Sequence, residues 1–376
     1  MKKNANKTFQ NILAHGDNYD ILKLFANDKQ IAGKVNLIYI DPPYGTKQDF
    51  TFSGERFSTI SRMNGGKVAY SDMLTGEDYL KFLSGRLKIM RDLLSDQGSI
   101  YLHIDSKMGH YVKVLMDSIF GDKNFINDIT RIKCNPKNFP RRGYGNMKDM
   151  ILFYSKTKDY IWNDPRQPIE ISENDSRFKL TDKDGRKYTT TPLHAPGETT
   201  NGDTGKEWRG LKPAPGRHWR YSRKVLDELD AAGLIEWSKK GNPRKKVYAE
   251  DVKKAGTKMQ DIWMFKDPQT TQYPTEKNLD MLKSIVRTSS NPGDIVMDCF
   301  AGSGTTLVAA EELKRKWIGV DASSESISIC KRRLNNNFHF FNPPHNALAN
   351  ESLGKTNTPV SYDKQLSRPA STYIYA

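Results

Sequence analysis

Residues 295–300 (IVMDCF) form a short β-rich apolar run that breaks into a glycine turn, Ala301-Gly302-Ser303-Gly304, and then into a helical stretch at 307–314. A strand that feeds a glycine turn that feeds a helix narrows the fold more than any other feature of this chain. Glycine lets the backbone approach a ligand closely, and the helix N-terminus offers unpaired N–H groups. The next apolar run, 317–320, ends at Asp321, 23 residues after Asp298 and about where a Rossmann-type site grips ribose hydroxyls. The dinucleotide fingerprint is not completed, because Leu307 stands where its third glycine would fall. No Gly-Lys-Ser/Thr follows either, so the Walker A reading fails. The ligand class left is an adenosine compound other than NAD or a nucleoside triphosphate.

A second apolar run, 35–40 (VNLIYI), ends at Asp41-Pro42-Pro43-Tyr44. Proline cannot continue a ladder, so the strand stops there and a loop follows its C-terminal end. Tyr79, Phe82, Leu83, Leu87, Met90 and Leu94 recur at helical spacing over 78–94. Gly98 breaks that helix, 99–104 reads as another strand, and 111–119 as another helix. The alternation predicts an α/β fold with a parallel sheet and helices on its faces. It resumes at 270–341, with helices at 279–286 and 325–334.

The middle of the chain differs. Residues 131–266 hold 30 Lys/Arg against 18 Asp/Glu, and so carry +12 of the total formal charge of +15. They are rich in Gly, Pro and Thr between 189 and 216, where few regular elements are expected. A short helix is predicted at 222–232, followed by a basic hairpin around Gly241-Asn242-Pro243. Helix plus hairpin suggests a winged-helix-like part at 217–250. The predicted organisation is 10–130, 131–266 and 267–341, with a polar tail at 342–376.

Three cysteines, at 134, 299 and 330, lack any CxxC spacing and suggest neither a disulfide scaffold nor a structural zinc. No apolar h-region follows MKKNANKTFQ, and no apolar run approaches the ~20 residues of a membrane helix. The expectation is a cytoplasmic chain without a metal and without a membrane partner.

Together, Asp41-Pro42-Pro43-Tyr44 and Phe300-Ala301-Gly302-Ser303-Gly304-Thr305-Thr306 resemble the motifs of the S-adenosylmethionine-dependent DNA adenine-N6/cytosine-N4 methyltransferases. The order, with D-P-P-Y first, resembles the permuted β class. The resemblance covers roughly residues 10–340. Gly16-Asp17 looks like the acidic motif upstream of D-P-P-Y, and Pro274-Thr275-Glu276-Lys277 like the segment before the cofactor strand. It implies a Rossmann-like methyltransferase sheet with an inserted, basic target-recognition domain, and S-adenosyl-L-methionine as cofactor.

On that resemblance, Asp41, Pro42, Pro43 and Tyr44 are the catalytic residues. The Asp41 carboxylate and Pro42 carbonyl would accept hydrogen bonds from an exocyclic amine, and Tyr44 would stack on a flipped base. Asp17, Asp298, Phe300, Ala301, Gly302, Ser303, Gly304, Thr305, Thr306 and Asp321 would form the cofactor site, with Thr275 and Lys277 bordering it. Thr275 also reads as the cap of the helix beyond it. Asp298 has the plainer alternative of a strand-end or helix-capping carboxylate. The implied partner is double-stranded DNA, with a restriction endonuclease and a homodimer as further expectations. Arg141, Arg142, Arg209, Arg217, His218, Trp219, Arg220, Arg223, Lys240, Arg244 and Lys245 are the candidate DNA contacts, placing cations on phosphates and an aromatic near bases. The polar stretch 46–70 reads as a loop that closes over the base. An Asp in first motif position favours adenine-N6 over cytosine-N4. An RNA amino-methyltransferase and a non-catalytic DNA-binding scaffold are the other classes this composition allows.

Overall fold

The computed structural model describes residues 9–43, 49–52, 67–71, 76–136, 138, 140, 142–239, 241–268, 276–335 and 337–343. The chain divides into two compact units, Met1–Ile161 with Ile262–Ala376, and Trp162–Asp261.

The larger unit is built on one nine-stranded sheet. Its order is Ile262–Trp263, Phe125–Ile132, Lys148–Ser155, Leu94–Ile104, Val35–Ile40, Ile295–Asp298, Lys316–Asp321, Asn11–His15 and Phe338–Phe341. Lys148–Ser155 runs antiparallel to both of its neighbours. The other pairings are parallel. One register row crosses the centre through Ile38, Met297, Ile318 and Ile12. Just beyond it, on the C-terminal side of four adjacent strands, stand Asp41, Asp298, Asp321 and Asp17. Ligands of open α/β sheets bind at this end.

The alternation along each strand sorts side chains to two faces. Ile38, Ile40, Ile100, Leu102, Ile104, Met297, Ile318 and Val320 share one core with Tyr79, Leu83, Leu87 and Met90 of the helix Glu77–Leu93. Each such side chain, taken out of water, contributes roughly 1.5–3 kcal/mol. Tyr39, Tyr101 and Phe153 form the opposite row, with Tyr101 and Phe153 stacked at 4.2 Å. The Tyr101 hydroxyl meets Ser289 Oγ at 2.8 Å, at the end of the helix Leu279–Ser289.

The strand Lys148–Ser155 corrects the expected boundary at 131. Residues 150–154 (MILFY) are a continuous apolar run, buried on both faces of the sheet, and the smaller unit starts only at Trp162. Both faces of the sheet are covered here, so this strand has no polar face to alternate with and its pattern is a solid run.

The smaller unit has a four-stranded antiparallel sheet, ordered Ile235–Trp237, Pro243–Tyr248, Lys187–Pro192, Leu180–Thr181. Ser222 caps the helix Arg223–Ala231 through Val225 N, as serine before an amphipathic run should. Helix and hairpin are both present as the spacing predicts. The second hairpin strand, however, pairs along its length with Lys187–Pro192, which makes it an inner strand and not a free wing. The 189–216 stretch also holds more structure than its composition suggests, including the pairing of His194–Pro196 with Arg217–Trp219. Leu193, Trp208, Trp219, Leu226 and Ile235 form this unit's own core.

Among the described residues, no helix is long and apolar enough to cross a membrane. Within 46–70, the described residues pair Asp49–Phe52 with Lys67–Ser71 in antiparallel fashion. The remainder of that stretch, and the tail from 344, lie outside the described residues.

Candidate active site

The glycine turn after Ile295–Asp298 is shaped by its neighbours. Gly302 and Gly304 have φ of 51° and 76°, a left-handed region that costs non-glycine residues strain. A Cβ on Gly304 would stand 2.8 Å from Cys330 Sγ, so the turn packs directly on the helix Ser324–Arg333. Gly304 caps the helix Thr305–Glu312. Arg333 Nη1 donates to Ser303 O (3.0 Å) and Thr305 Oγ1 (3.2 Å), which fixes the turn from its far side. Phe300 packs its ring 6.2 Å from that of Phe82.

Asp321 steadies the same turn. Its Oδ2 accepts from Gly302 N and its Oδ1 from Ser323 N, each at 2.8 Å. Burial raises its carboxyl above the usual range, against those backbone donors. Asp298 is buried, and accepts from Phe300 N (3.0 Å) and Thr306 Oγ1 (2.6 Å). Asp298 thus buttresses the turn. Burial pushes its carboxyl up to about 7 despite the two hydrogen bonds, and the charges of Asp41 and Asp321 add to the rise.

A carboxyl raised in the folded state stabilises most below its unfolded pKa of 3.8, and that contribution is lost as pH climbs through about 7. The linked free energy is of order 4 kcal/mol. Asp298→Asn keeps an acceptor for Phe300 N and can donate to Thr306. The expected outcome is a Tm profile flatter than wild type between about pH 4 and 7, with higher stability above it. A mutant profile parallel to wild type in calorimetry would remove Asp298 from that titration.

Asp17 caps the helix Asn18–Asn27 through Tyr19 N (2.7 Å). Arg86 Nη2 lies 3.1 Å from both of its oxygens, and Arg86 Nε donates to Asn18 Oδ1. Asn18 Nδ2 then donates to Cys299 O at 2.7 Å, tying the Asp17 loop to the cofactor strand. The Arg86 guanidinium rests on the Phe82 ring, 3.6 Å from its centroid. Sequence reasoning missed Arg86. The signal was there: Tyr79, Leu83, Arg86 and Met90 share the buried helix face, and a buried Arg needs an acidic partner.

Asp41 and Pro43 are half-buried and Pro42 is buried. Lys277 Nζ lies 2.5 Å from Asp41 Oδ2. Lys277 therefore stands on the catalytic motif, where the sequence had suggested the cofactor side. Behind them lies a buried polar chain. Tyr39 Oη meets His103 Nδ1 at 2.9 Å, and His103 Nε2 meets Asp149 Oδ2 at 3.3 Å. Asp149 also takes Lys133 Nζ at 2.7 Å and Arg131 Nη1 at 3.5 Å. The arrangement fits a neutral His103 that accepts from Tyr39 and donates to Asp149. Burial lowers the His103 pKa, with Lys277 acting in the same direction. None of this chain was anticipated, because its members lie on four different strands.

In the smaller unit one expected DNA contact is corrected. Trp219 is fully buried, stacks on His194 at 4.5 Å, and donates Nε1–H to Lys206 O. Its large apolar area is the centre of a small core, which leaves no face for a base. Arg209 pairs with Asp230 and Asp227, and Arg223 with Asp203. Their charges are already matched. Arg220 Nε donates to Pro192 O and His194 O, and Arg244 to Thr190, so both brace the sheet. Lys245 donates to Tyr221 Oη, and His218 Nδ1 meets Gly197 O. Arg217 and Arg142 are exposed. Tyr44, Thr275, Arg141 and Lys240 lie outside the described residues.

The helix cap expected at Thr275 is supplied by Asn278, whose Oδ1 accepts from Met281 N. Cys299 and Cys330 are buried core residues.

The N6/N4 family model described as DNA methylase matches residues 35–332. The Type II methyltransferase M.EcaI of Enterobacter cloacae is 45% identical over 338 residues, which span 88% of this chain and 71% of that protein. The Mod subunit of the Type III restriction-modification enzyme StyLTI of Salmonella typhimurium is 26% identical, across 88% of this chain and 54% of its own. The chain thus spans about half of that longer relative. Among solved structures, the M1.HpyAVI–SAM complex aligns with a TM-score of 0.44 at 19% identity, covering 86% of this chain and all of that one. The cytosine-N4-specific PvuII DNA methyltransferase aligns at 0.45 and 16%, over 88% and 89% of the two chains. By the family model and by the 45% identity to M.EcaI, this chain belongs to the N6/N4 DNA methylase family.

Proposed function

We propose that the chain transfers a methyl group from S-adenosyl-L-methionine to the N6 amine of adenine, in a specific DNA sequence, after flipping the base. The observation that carries this reading is the row of Asp41, Asp298, Asp321 and Asp17 beyond four adjacent strands, with the glycine turn between Asp298 and Asp321. The turn is fixed from within the protein: a Cβ at Gly304 would strike Cys330, Asp321 accepts from Gly302 N, and Arg333 donates to Ser303 O. Asp17 and Asp321 are the acids available for adenosyl hydroxyls and amine. When bound, the cofactor supplies an electrophilic sulfonium methyl.

The chain's own work is on the amine. An exocyclic adenine nitrogen is a poor nucleophile, because its lone pair is delocalised into the ring. The Asp41 carboxylate and the Pro42 carbonyl accept its two N–H bonds and localise that pair. Holding the nitrogen in line with the methyl supplies the proximity contribution. Asp41 and the buried Pro42 stand at a strand end, on a rigid sheet edge suited to that alignment. Tyr44 takes the stacking role by its place in the motif. Asp rather than Ser in first position favours adenine over cytosine. The likeness to the Mod subunit of the restriction-modification enzyme StyLTI supports a role alongside a restriction endonuclease.

Purified protein with tritiated S-adenosylmethionine and unmethylated genomic DNA tests the reading. Label in N6-methyladenine is expected. Label in N4-methylcytosine would retain the mechanism and overturn the target base. No label in DNA, with cofactor binding shown separately, would overturn DNA as the substrate.

Double-stranded DNA is held by the basic insert. Arg217, exposed at the end of a strand, contacts phosphate, and Arg217→Ala should reduce the slope of log K against log salt by about 1. A filter-binding series at increasing salt reads this directly. An unchanged slope would make Arg217 a solvated bystander.

A further inference from the structure

Glu276 and Lys277 are consecutive, and their side chains grip different halves of the site. Lys277 reaches Asp41 Oδ2, with the two side chains only 11% and 18% exposed. Glu276 Oε1 takes Arg333 Nη1 at 2.8 Å. That same Nη1 donates to Ser303 O and Thr305 Oγ1 in the glycine turn. The next residue, Asn278, caps the helix Leu279–Ser289 and donates Nδ2–H to Lys266 O at 3.0 Å. Three adjacent residues thus have fixed side chains, and two of them tie Asp41 and the cofactor turn to one stretch of backbone.

We propose that Lys277 is a positioning residue for methyl transfer: it holds Asp41 by Oδ2 and so sets the orientation of the carboxylate toward the incoming amine, and it stays there while the amine binds. The inference rests on the methyl-transfer reading above. A largely buried ion pair is not broken for one hydrogen bond to a neutral amine, because an unpaired buried charge costs far more than that bond returns. The amine therefore adds to the pair and does not replace Lys277. The Glu276–Arg333 pair sets the same backbone against Ser303 and Thr305. The carboxylate is then aimed relative to the turn that holds the methyl donor.

Single-turnover methylation of duplex DNA by the full chain, with cofactor affinity measured by calorimetry, tests this in wild type, Lys277→Met and Lys277→Arg. Lys277→Met keeps the aliphatic stem and loses the charge. Its rate at saturating cofactor and DNA should fall on the order of 10²-fold. Its cofactor Kd should remain within about twofold of wild type, and Lys277→Arg should recover part of the rate. An unchanged Lys277→Met rate overturns the inference. So does a loss that appears only as weaker cofactor binding, which would put Lys277 in the cofactor pocket. If Lys277→Met does not fold, Lys277→Arg decides, since it keeps the charge and moves its position: a slower rate at unchanged cofactor Kd supports the inference, and an unchanged rate overturns it. Wild-type protein that labels no DNA removes the underlying reading instead, and is seen before any variant is compared.

Discussion

Asp41→Ala lowers the rate of methyl transfer by on the order of 10²–10³-fold at saturating substrates, while cofactor affinity stays near wild type. The size follows from what Asp41 is asked to do. On the proposed mechanism it accepts a hydrogen bond that strengthens as the amine gains nucleophilic character, so its removal acts on the transition state more than on binding. The truncation also removes the carboxylate that the Lys277 ammonium meets at 2.5 Å in a largely buried pair. Asp41→Asn separates the two effects. It leaves an acceptor oxygen for the amine and removes the charge that Lys277 meets, so its loss should be smaller than that of alanine. Rapid-quench assays with labelled cofactor, beside calorimetric binding, measure both quantities. Turnover retained in Asp41→Ala would take Asp41 out of the mechanism.

Asp149→Ala destabilises the larger unit by about 3–5 kcal/mol. Asp149 is buried and is the shared acceptor of His103, Lys133 and Arg131. Its removal leaves buried donors without their carboxylate, while Arg131 keeps Asp267 and the Phe265 carbonyl. For a unit of this size the drop corresponds to roughly 10 °C or more in Tm. Differential scanning calorimetry gives the answer, and a shift below about 2 °C would show that the pocket relaxes around the loss.

The same cluster sets a pH dependence opposite in sign to that of Asp298. Burial alone would raise the Asp149 carboxyl, but the His103 hydrogen bond and the Lys133 ammonium outweigh it and hold it well below the usual range. Its contribution is present above its unfolded pKa and is lost as pH falls. His103, lowered by burial, likewise loses stability as pH drops below its ordinary value of 6.5.

Much of the catalytic half was legible because its determinants are local. The run 35–40 and the turn at Asp41-Pro42-Pro43 need only β-branched residues and two prolines, and the strand ends there, at Ile40. The helix expected at 78–94 is found at Glu77–Leu93, since its apolar spacing is a property of one segment. The expected helix at 307–314 begins earlier, at Thr305, because Gly304 caps it. Residues 148–155 were misassigned for the opposite reason. They look like a core strand only once two other strands are known to flank them.

The basic insert shows the limit more sharply. Trp219 lies among arginines, and a cation–aromatic cluster reads as a nucleic-acid surface. Whether an aromatic faces solvent or a core depends on residues far along the chain, here Leu193, Trp208 and Leu226. Arg209 and Arg223 look like free cations until Asp230 and Asp203 are brought beside them.

The sequence by itself determined the motifs, their order and the local elements that carry them. Proline stops, glycine turns and apolar periodicity act within a few residues and need no partner. Only the tertiary structure decided which charges meet. Parallel strand register put four acids on one edge, and a contact across 236 positions set Lys277 against Asp41. Pairing of that kind depends on loop closure and packing over the whole unit, where local propensity carries no information about the partner.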